Sequence, residues 1–445
     1  MPDTLSGADN LSGEVAELLG QMIRNACVND GTPSSGTEHR SAAVLEQVLA
    51  VAGVELQSFE PLPGRSSLVA RIPGSDPSAP TLALVGHTDV VPASPEGWSH
   101  DPFGGERDEG YVWGRGAVDM LNLTASMAVA LRRLAASGFR PRGTLSFLAV
   151  ADEEAGGHHG AEWLLDNVEQ AAAGFVITES GGIPVQLPDG VALGAMVAEK
   201  GLAWCRLSVR GTPGHGSRPY RSDNALVKAA QVVERLAGFA PPAAVVPAWA
   251  AFVEGLGLPE GLADPRQVDQ AVEGLDGRLA RLAHACTHTT FSPNVAHGGQ
   301  KTNIIPDRVD LEVDIRTLPG QGTGDVRALI AEALGPLAAD VDLEMLQDQQ
   351  ASESPTASPL WEAMGEAAAA LRPGARLLPS MMAGATDARW WRARGATAYG
   401  FGLFSDSISP DDYDAMFHGR NERVDLESLR LSAELWEGIA RRFLA

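Results

Sequence analysis

The sequence predicts an α/β protein in which a mixed, mostly parallel sheet flanked by helices is interrupted by an inserted α+β sandwich. Up to about residue 198, short apolar runs alternate with stretches of helical apolar spacing, as in sheets with helices on both faces. From Glu199 the pattern changes to longer strands, and after Gln350 it returns to helices and short strands. A chain of 445 residues also favours two domains over one core. We therefore predict a main domain of residues 1–198 and 349–445, with residues 199–348 inserted.

The elements of the main domain follow from apolar periodicity and from punctuation by Gly and Pro. Helices are predicted over Val15–Cys27, Glu38–Val51, Leu121–Ser137 and Gly160–Gln170. Strands are predicted in the runs SSLVARIPG, TLALVGH, TLSFLAVA and GFVITES. Because sites in open α/β sheets collect at the carboxyl ends of the strands, we expect functional residues where these runs end.

The inserted domain shows a different pattern, with longer strands around a central helical stretch. In chain order we predict one long strand in GLAWCRLSVRG, a helix over Asn224–Leu236, a helical segment over Phe239–Ala285, two antiparallel strands joined at Pro306–Asp307, a helix over Asp325–Leu334 and a final strand in VDLEML. About 150 residues is an ordinary domain size, so this segment can hold a core of its own.

Composition excludes several classes of protein. The formal charge of -23 disfavours binding to nucleic acid or to anionic membranes, because both need a cationic surface. The three cysteines are too sparse for a disulfide framework, and no apolar run approaches the eighteen residues typical of a membrane span. The N-terminal stretch lacks the basic and apolar regions of a secretion signal, so we predict a cytoplasmic protein.

Imidazole and carboxylate side chains follow three of the predicted strands, a Gly-rich turn and a segment near the C-terminus. These residues are His87, Asp119, Glu153, Glu154, Glu179 and His418. Zinc binds imidazole nitrogen and carboxylate oxygen, and a catalytic zinc site keeps one coordination position for water. Two zinc ions that share a carboxylate can activate a water and polarise a carbonyl. The pattern therefore indicates a dinuclear zinc centre.

Two further roles follow from local geometry. Asp89 lies two residues after His87 along an extended chain, so both point to the same side and Asp89 can accept the second ring N–H of His87. Glu153 and Glu154 are adjacent at a strand end, so they point in different directions. One of them can bind metal while the other acts on the water as a general base.

The motifs GHTDVVP, GRGAVDM, DEEAGG, ESGG, GTPGHGSRP and FHGRNERV together resemble one known family. It is the aminoacylase, carboxypeptidase G, acetylornithine deacetylase and succinyl-diaminopimelate desuccinylase family of dinuclear zinc metallohydrolases. All six motifs occur in the family's order, from about the first helix to the last. The resemblance implies that the main domain is catalytic and that the inserted domain is a lid, which often also forms a dimer interface.

The resemblance also implies a role for each candidate residue. His87, Asp119 and Glu179 would bind one Zn²⁺, while Asp119, Glu154 and His418 would bind a second, with Asp119 bridging the two. Co²⁺ or Mn²⁺ could replace zinc. Glu153 would be the general base and Asp89 the partner of His87. Many members have Lys after DM, whereas Leu121 and Asn122 follow here; this departure does not affect a ligand.

Several residues in or near the inserted domain resemble the family's substrate-binding groups. His215 would stabilise the oxyanion of the tetrahedral intermediate, which would require closure of the lid. Arg316 would pair with a substrate carboxylate, for which its planar guanidinium is suited. Asn303, Gly384 and Thr386 would hold the substrate backbone. The alternatives are an exposed turn histidine, a surface arginine on a strand and ordinary loop residues.

Together these inferences predict a metallo-amidohydrolase that cleaves the amide bond of an N-acyl amino acid or short peptide with a free carboxylate. A metal-bridged water activated by Glu153 would attack the scissile carbonyl. The protein would act as a homodimer joined through the lid, without nucleic-acid or membrane partners. A dipeptidase or carboxypeptidase of the same family is the alternative enzyme, and a non-catalytic metal-binding protein is the alternative outside catalysis.

Overall fold

A computed structural model describes residues 7–445, which divide into two compact units. The first unit contains the described residues through 197 together with 354–379 and 386–445, and the second contains 198–353 and 380–385. Within residues 7–445, no helix is both long enough and apolar enough to cross a membrane.

The helices and strands alternate along the chain. Through Glu199 they are α1 (Gly7–Asn25), α2 (His39–Leu49), β1 (Glu55–Leu62), β2 (Arg65–Ile72), β3 (Leu82–His87), β4 (Glu106–Asp108), β5 (Tyr111–Trp113), α3 (Leu121–Ala136), β6 (Leu145–Val150), α4 (Ala161–Asn167), β7 (Phe175–Thr178), β8 (Pro184–Leu187) and β9 (Gly190–Glu199). From Gly201 to Glu353 they are β10 (Gly201–Leu202), β11 (Cys205–Arg210), β12 (Gly214–His215), α5 (Ala225–Ala237), α6 (Pro247–Gly255), α7 (Val268–Glu273), α8 (Gly277–Thr287), β13 (Thr290–Gly298), β14 (Ile304–Ile305), β15 (Arg308–Thr317), α9 (Thr323–Leu334), β16 (Val341–Met345) and β17 (Ser352–Glu353). The chain ends with α10 (Pro359–Leu371), β18 (Ala375–Met382), α11 (Ala388–Arg392), β19 (Thr397–Gly400), α12 (Pro410–Met416), β20 (Arg423–Asp425) and α13 (Leu426–Phe443).

The main sheet of the first unit runs in the order β1-β2-β6-β3-β7-β19-β9. Its four central strands, β6, β3, β7 and β19, are parallel, whereas β1, β2 and β9 join the sheet antiparallel. The residues of β3 and β6 are all buried, as expected for apolar strands covered on both faces. The predicted class, a mixed sheet flanked by helices with a second α+β unit, is confirmed. The antiparallel outer strands β1 and β9 were not predicted.

Helix α3 covers one face of the main sheet. Thirteen of its residues are buried, and it packs against β3 and against the helices α1 and α13. Because its apolar character extends around most of its surface, α3 is a core helix rather than a surface helix.

The second unit is built on a sheet in the order β10-β15-β11-β16, with β13 also paired to β15. Its core joins this sheet to α5 and α9 through alternating buried residues such as Val309, Leu311, Val313 and Ile315. The run GLAWCRLSVRG, predicted as one strand, is divided into β10 and β11. The division falls at Ala203 and Trp204, where the carbonyl of Trp204 accepts the N–H groups of both Leu346 and Gln347.

Close packing of α3 on β3 makes a specific prediction at Gly86, one residue before His87. A Cβ at Gly86 would lie 2.4 Å from Thr124 Oγ1, and this hydroxyl donates to the His87 carbonyl at 2.9 Å. We expect Gly86→Ala to lower the free energy of unfolding by about 1–3 kcal/mol, the usual range for an overpacked core. Urea denaturation followed by circular dichroism measures the change.

The matched control is Gly13→Ala in α1, where nothing lies within 4 Å of an added Cβ. It should leave stability unchanged or raise it by about 0.5–1 kcal/mol, because alanine is the better helix former. Equal stability of the two variants would contradict the packing argument.

Candidate metal centre

Three parallel strands bring chemically active side chains to one edge of the main sheet. His87 is the last residue of β3 and lies opposite Val150, the last residue of β6. Glu153 and Glu154 follow β6 in a short 3-10 helix, and Glu179 directly follows β7. Since the carboxyl ends of neighbouring parallel strands meet at one edge, these side chains converge.

Asp119 and His418 complete the cluster from two distant parts of the chain. His87 Nε2 lies 3.1 Å from Asp119 Oδ1, and His418 Nε2 lies 3.0 Å from Asp119 Oδ2. His418 Nε2 is also 3.3 Å from Glu154 Oε2, while His87 Nε2 is 3.8 Å from Glu179 Oε2. The Asp119 carboxylate therefore lies between the two imidazoles, one oxygen toward each.

The donor atoms form two overlapping groups that suit a metal ion. Ligand atoms of His87, Asp119 and Glu154 lie within 4.8 Å of one another, as do those of His87, Glu153 and Glu179. Among the described residues, Glu154 Oε1 is buried without a hydrogen-bond partner. Buried oxygens are rarely left unpaired, so this atom fits a coordinating role. The nitrogen and oxygen donors are those that zinc and related divalent cations accept.

The negative charge of the clustered carboxylates also favours the binding of cations. Desolvation raises the pKa of Glu179 well above its ordinary value, and the neighbouring charges of Glu153 and Asp119 raise it further. Desolvation likewise raises the pKa of Glu153 well above its ordinary value, against the lowering effect of His87. Four carboxylates share this region with two imidazoles, so a divalent cation would supply missing positive charge.

The same carboxylates also shift the pKa values of the two imidazoles. Burial alone would lower the pKa of His87, but its hydrogen bond to Asp119 and the charge of Glu179 raise that pKa well above the ordinary value. Hydrogen bonds to Asp119 and Glu154 raise the pKa of His418 to about 10. Burial would raise the pKa of Asp119, but its hydrogen bonds to His418 and His87 lower it below the ordinary range.

Asp89 contacts His87 differently from the sequence expectation. The close partner of His87 Nδ1 is the main-chain carbonyl of Asp89 at 2.9 Å, while the Asp89 carboxylate is 3.6 Å away. The carboxylate instead accepts the N–H groups of Glu153 at 3.3 Å and Glu154 at 3.1 Å. The Asp89 carboxylate also accepts the side-chain N–H of Asn29 at 2.8 Å, so its oxygens are directed to these three donors. Asp89 therefore orients the His87 ring and also the turn that carries the two glutamates.

Non-glycine residues with left-handed backbone occur at three points of the cluster. Asp152 has φ 70°, Ser180 has φ 76° and His418 has φ 55°. Asp152 precedes Glu153, and Ser180 follows Glu179. Such residues are uncommon and concentrate at functional sites, where the surrounding structure holds them.

Asp387 and Arg389 are two buried residues near the cluster that sequence reasoning missed. Arg389 donates to the carbonyls of Thr386 at 2.7 Å and Gly156 at 2.8 Å, which fastens this segment to the turn after Glu154. Neither oxygen of Asp387 has a hydrogen-bond partner among the described residues, and burial raises the pKa of this carboxyl to about 7. Both residues lie in the TDARW segment, one and three residues after Thr386.

A second missed pair is Arg115 and Glu422. Arg115 belongs to the GRGAVDM motif and Glu422 to FHGRNERV, yet only Asp119 and His418 were singled out there. The two side chains form a buried ion pair at 2.6 Å. Their charges lie in quoted motifs, but no local pattern shows that segments 307 residues apart meet.

Of the five predicted substrate-contacting residues, His215, Asn303, Gly384 and Arg316 lie in the second unit, whereas Thr386 lies in the first. His215 is exposed in β12, opposite Ile304 of β14, and the neighbouring Gly216 N–H donates to the Asn303 carbonyl at 2.8 Å. The structure therefore brings His215 and Asn303 side by side.

Arg316 lies near the other end of β15. Its Nε and Nη2 atoms donate to Asp314 at 2.6 and 3.0 Å, and its guanidinium lies 5.8 Å from the centre of the Trp204 ring. Gly384 has no steric need for glycine, because an added Cβ would meet only Met382 at ordinary contact distance.

The titratable groups predict how stability depends on pH in metal-free protein. Burial raises the pKa of the Asp387 carboxyl, which has no hydrogen-bond partner among the described residues, from 3.8 to about 7. A carboxyl with a raised pKa contributes stability at low pH and loses it as the pH rises through that pKa. His418, with its raised pKa, acts in the same direction.

We therefore expect metal-free protein to lose unfolding free energy as pH rises from about 5 to 8, and Zn²⁺ to reduce that loss. Thermal unfolding at several pH values, with chelator and with Zn²⁺, measures it. Asp387→Asn should flatten the slope of the chelated protein. A stability that rises over this range in chelator would contradict the electrostatic account.

Comparison with known proteins supports the same identification. Residues 83–442 match the model of peptidase family M20/M25/M40. Aminoacylase-1 of Mus musculus is 28% identical over 430 residues, covering 95% of this chain and 93% of the relative. The solved structure of an M20 family metallo-carboxypeptidase from Sulfolobus solfataricus has a TM-score of 0.73 at 17% identity, covering 97% of this chain and 99% of that one. A dinuclear metal-binding M20 peptidase of Bacillus subtilis has a TM-score of 0.63 at 15% identity, covering 97% of this chain and 98% of that one. The family resemblance seen in the sequence motifs is confirmed: the chain belongs to peptidase family M20/M25/M40 and is a hydrolase of amide bonds.

Proposed function

We propose that the protein is a zinc-dependent hydrolase of N-acyl amino acids, or of short peptides with a free carboxylate. The observation that carries the proposal is the Asp119 carboxylate, which offers one oxygen to His87 at 3.1 Å and the other to His418 at 3.0 Å. A carboxylate between two imidazoles is the arrangement that a bridging ligand of two cations requires.

The residues that would hold the two cations are His87, Asp119 and Glu179 for one, and Asp119, Glu154 and His418 for the other. When bound, the cations would polarise the scissile carbonyl and lower the pKa of a water. The donor types favour zinc, while Co²⁺ and Mn²⁺ also accept them. The dinuclear character named for the Bacillus subtilis relative supports two cations rather than one.

Glu153 is the residue we propose for proton transfer. It follows Asp152 in a tight turn, and Asp89 accepts the N–H groups of Glu153 and Glu154. Glu153 groups with His87 and Glu179, whereas Glu154 groups with His87 and Asp119. Glu153 would accept a proton as the water oxygen bonds to the acyl carbon. It would return that proton to the leaving nitrogen as the C–N bond breaks.

Arg316 and His215 are the groups we propose for substrate recognition. Asp314 holds one edge of the Arg316 guanidinium, which leaves the other N–H groups to pair with a substrate carboxylate. The Ser217 N–H donates to His215 Nδ1 at 3.2 Å, so Nε2 carries the ring proton and can donate to a carbonyl oxygen. The likeness to aminoacylase-1 supports an N-acyl amino acid as substrate.

The second unit also supports the proposed dimer. Arg308 and Arg316 are eight residues apart in β15, or about 27 Å along an extended strand. Arg210 of β11 pairs with Arg308, the first residue of β15. His215 lies beyond that end, in the short strand β12, where it pairs with Ile304 of β14. From this separation along β15 we expect that one small substrate does not reach both His215 and Arg316 of the same second unit. We therefore propose that a second copy of the chain supplies His215.

Exposed apolar side chains mark the surface that a second copy would cover. Tyr220, Leu226, Val227, Val295 and Ile304 lie on or beside α5, β13 and β14, and all are exposed. Contiguous exposed apolar patches are typical of protein interfaces, and we propose that these side chains form one.

A cytoplasmic location remains part of the proposal. All three cysteines, Cys27, Cys205 and Cys286, are buried and unpaired. Unpaired cysteines are usual in reducing compartments.

The function is tested by amine release from a panel of N-acyl amino acids and dipeptides by zinc-loaded protein. We expect N-acyl amino acids to be hydrolysed, and Glu153→Gln to keep its bound metal while kcat falls by about 10²–10⁴-fold. Glu154→Gln is the matched control and should lose metal. Substantial kcat in Glu153→Gln would refute the role of Glu153 as base. Cleavage of dipeptides alone would move the assignment to a peptidase.

The source of His215 is tested by mixing two inactive variants, Glu153→Gln and His215→Ala, under conditions that exchange subunits. If His215 acts on a neighbouring copy, each mixed dimer regains one intact site, and roughly one quarter of the wild-type rate should return. Light scattering confirms the dimer. No recovery of activity in demonstrably mixed dimers would show that each chain uses its own His215.

A further inference from the structure

One buried ion pair joins the loops that carry Asp119 and His418. Arg115 Nη1 lies 2.6 Å from Glu422 Oε2, and the two side chains are 4% and 0% exposed. Buried ion pairs often add little net stability, so the contribution of this pair lies in the groups that it positions.

Glu422 fixes the main chain around Asp119. Its Oε1 accepts the N–H groups of Val118 at 2.7 Å and Asp119 at 3.0 Å, while its Oε2 accepts Gly116 N–H at 3.0 Å and Arg115. Each carboxylate oxygen thus has two donors. The backbone from which the Asp119 side chain projects is therefore held by one acidic group.

Arg115 fixes the main chain at His418. Its Nη2 donates to the carbonyls of His418 at 3.2 Å and Gly419 at 2.9 Å. His418 has a left-handed backbone, and its side chain is 48% exposed, against at most 5% for His87, Asp119, Glu154 and Glu179. Core packing therefore holds His418 less than the other proposed ligands, and its hydrogen-bonded backbone contributes to its position.

We propose that Arg115 and Glu422 are positioning residues that hold His418 in register with Asp119 and so set the affinity of the metal subsite formed by Asp119, Glu154 and His418. The inference rests on the proposed metal centre. Arg115 contacts the backbone of His418, which belongs to only one subsite, whereas Glu422 also holds the backbone of Asp119, which both subsites share.

The variant Glu422→Gln tests this with almost no change of shape. Whichever way the amide is turned, its NH₂ group faces two N–H donors, so two hydrogen bonds are lost and replaced by repulsion. Arg115→Lys is the second variant. It keeps the positive charge, but one ammonium cannot reproduce the planar contacts to Glu422 and to both carbonyls.

The matched control is Asp425→Asn. Asp425 is also a buried carboxylate, three residues beyond Glu422, and it accepts Ser428 N–H at the start of α13 without touching a proposed ligand. It should lower the melting temperature and leave metal affinity unchanged.

The experiment is calorimetric titration of chelator-treated protein with Co²⁺, together with the visible absorption spectrum of the bound ion. His418→Ala identifies which binding event belongs to the His418 subsite. We expect Glu422→Gln and Arg115→Lys to weaken that event by about 10–100-fold, the usual effect of removing a group that orients a ligand, and to alter its spectrum. In Arg115→Lys the other event should change far less, whereas Glu422→Gln should also weaken it, because Asp119 belongs to both subsites.

The inference would be overturned if both variants kept the wild-type Co²⁺ affinity and spectrum at both subsites. It would also be overturned if Asp425→Asn weakened Co²⁺ binding as much as these two variants do. If Glu422→Gln fails to fold by circular dichroism, Arg115→Lys decides between these results. Absence of Co²⁺ binding by wild-type protein would overturn the metal centre itself, and this inference with it.

Discussion

The constraint that organises the first unit is a concentration of acidic side chains at one buried sheet edge. Asp119, Glu153, Glu154 and Glu179 converge because three parallel strands end together and one Gly-rich turn meets them. Buried carboxylates in contact repel one another and resist ionisation. The fold must therefore hold the carboxylates together against this repulsion. The two imidazoles offset only part of the negative charge.

Buried arginines on separate flanks of the cluster supply the remaining support. On one flank, Arg65 pairs with Glu38 at 2.6 Å and donates to Asn29 at 3.0 Å, and Asn29 in turn donates to Asp89 at 2.8 Å. On the other flank, Arg115 and Glu422 connect the loops of Asp119 and His418. Removing one partner of such a pair typically destabilises by about 3–5 kcal/mol, since the other charge is left buried. Each arginine is therefore held by its ion pair, and its other hydrogen bonds fix the neighbouring segments of the cluster.

Sequence reasoning found the residues whose roles have a local signature. His87 and Glu179 end apolar runs, and Glu153 and Glu154 follow one, so strand geometry alone places them at the same edge. The residues it missed depend on contacts between distant segments. Glu422 lies in the same motif as His418, but its role depends on hydrogen bonds from three N–H groups more than 300 residues away in sequence.

Local backbone geometry was equally hard to foresee. The apolar run TLALVGH predicts the strand and places Asp89 on the same side as His87, but it does not show which donors the Asp89 carboxylate accepts. The strand ends at His87, and the Asp89 carboxylate instead holds the turn of Glu153 and Glu154. Nothing in the pattern of residues marks Asp152 as left-handed, although this conformation turns the chain into that loop.

In the proposed function, metal chemistry and substrate recognition are assigned to residues of different units. All five proposed ligands and Glu153 belong to the first unit, whereas His215, Asn303 and Arg316 belong to the second. The ligands are constrained by a buried sheet edge, where a change of one side chain disturbs several charges. Arg316 and Trp204 are partly exposed and have fewer partners. If Arg316 binds the substrate as proposed, substitutions there would change which substrate is accepted while the metal centre stays intact. This separation gives a physical reason why one fold is shared by an aminoacylase and a carboxypeptidase, and why fold alone does not assign the substrate.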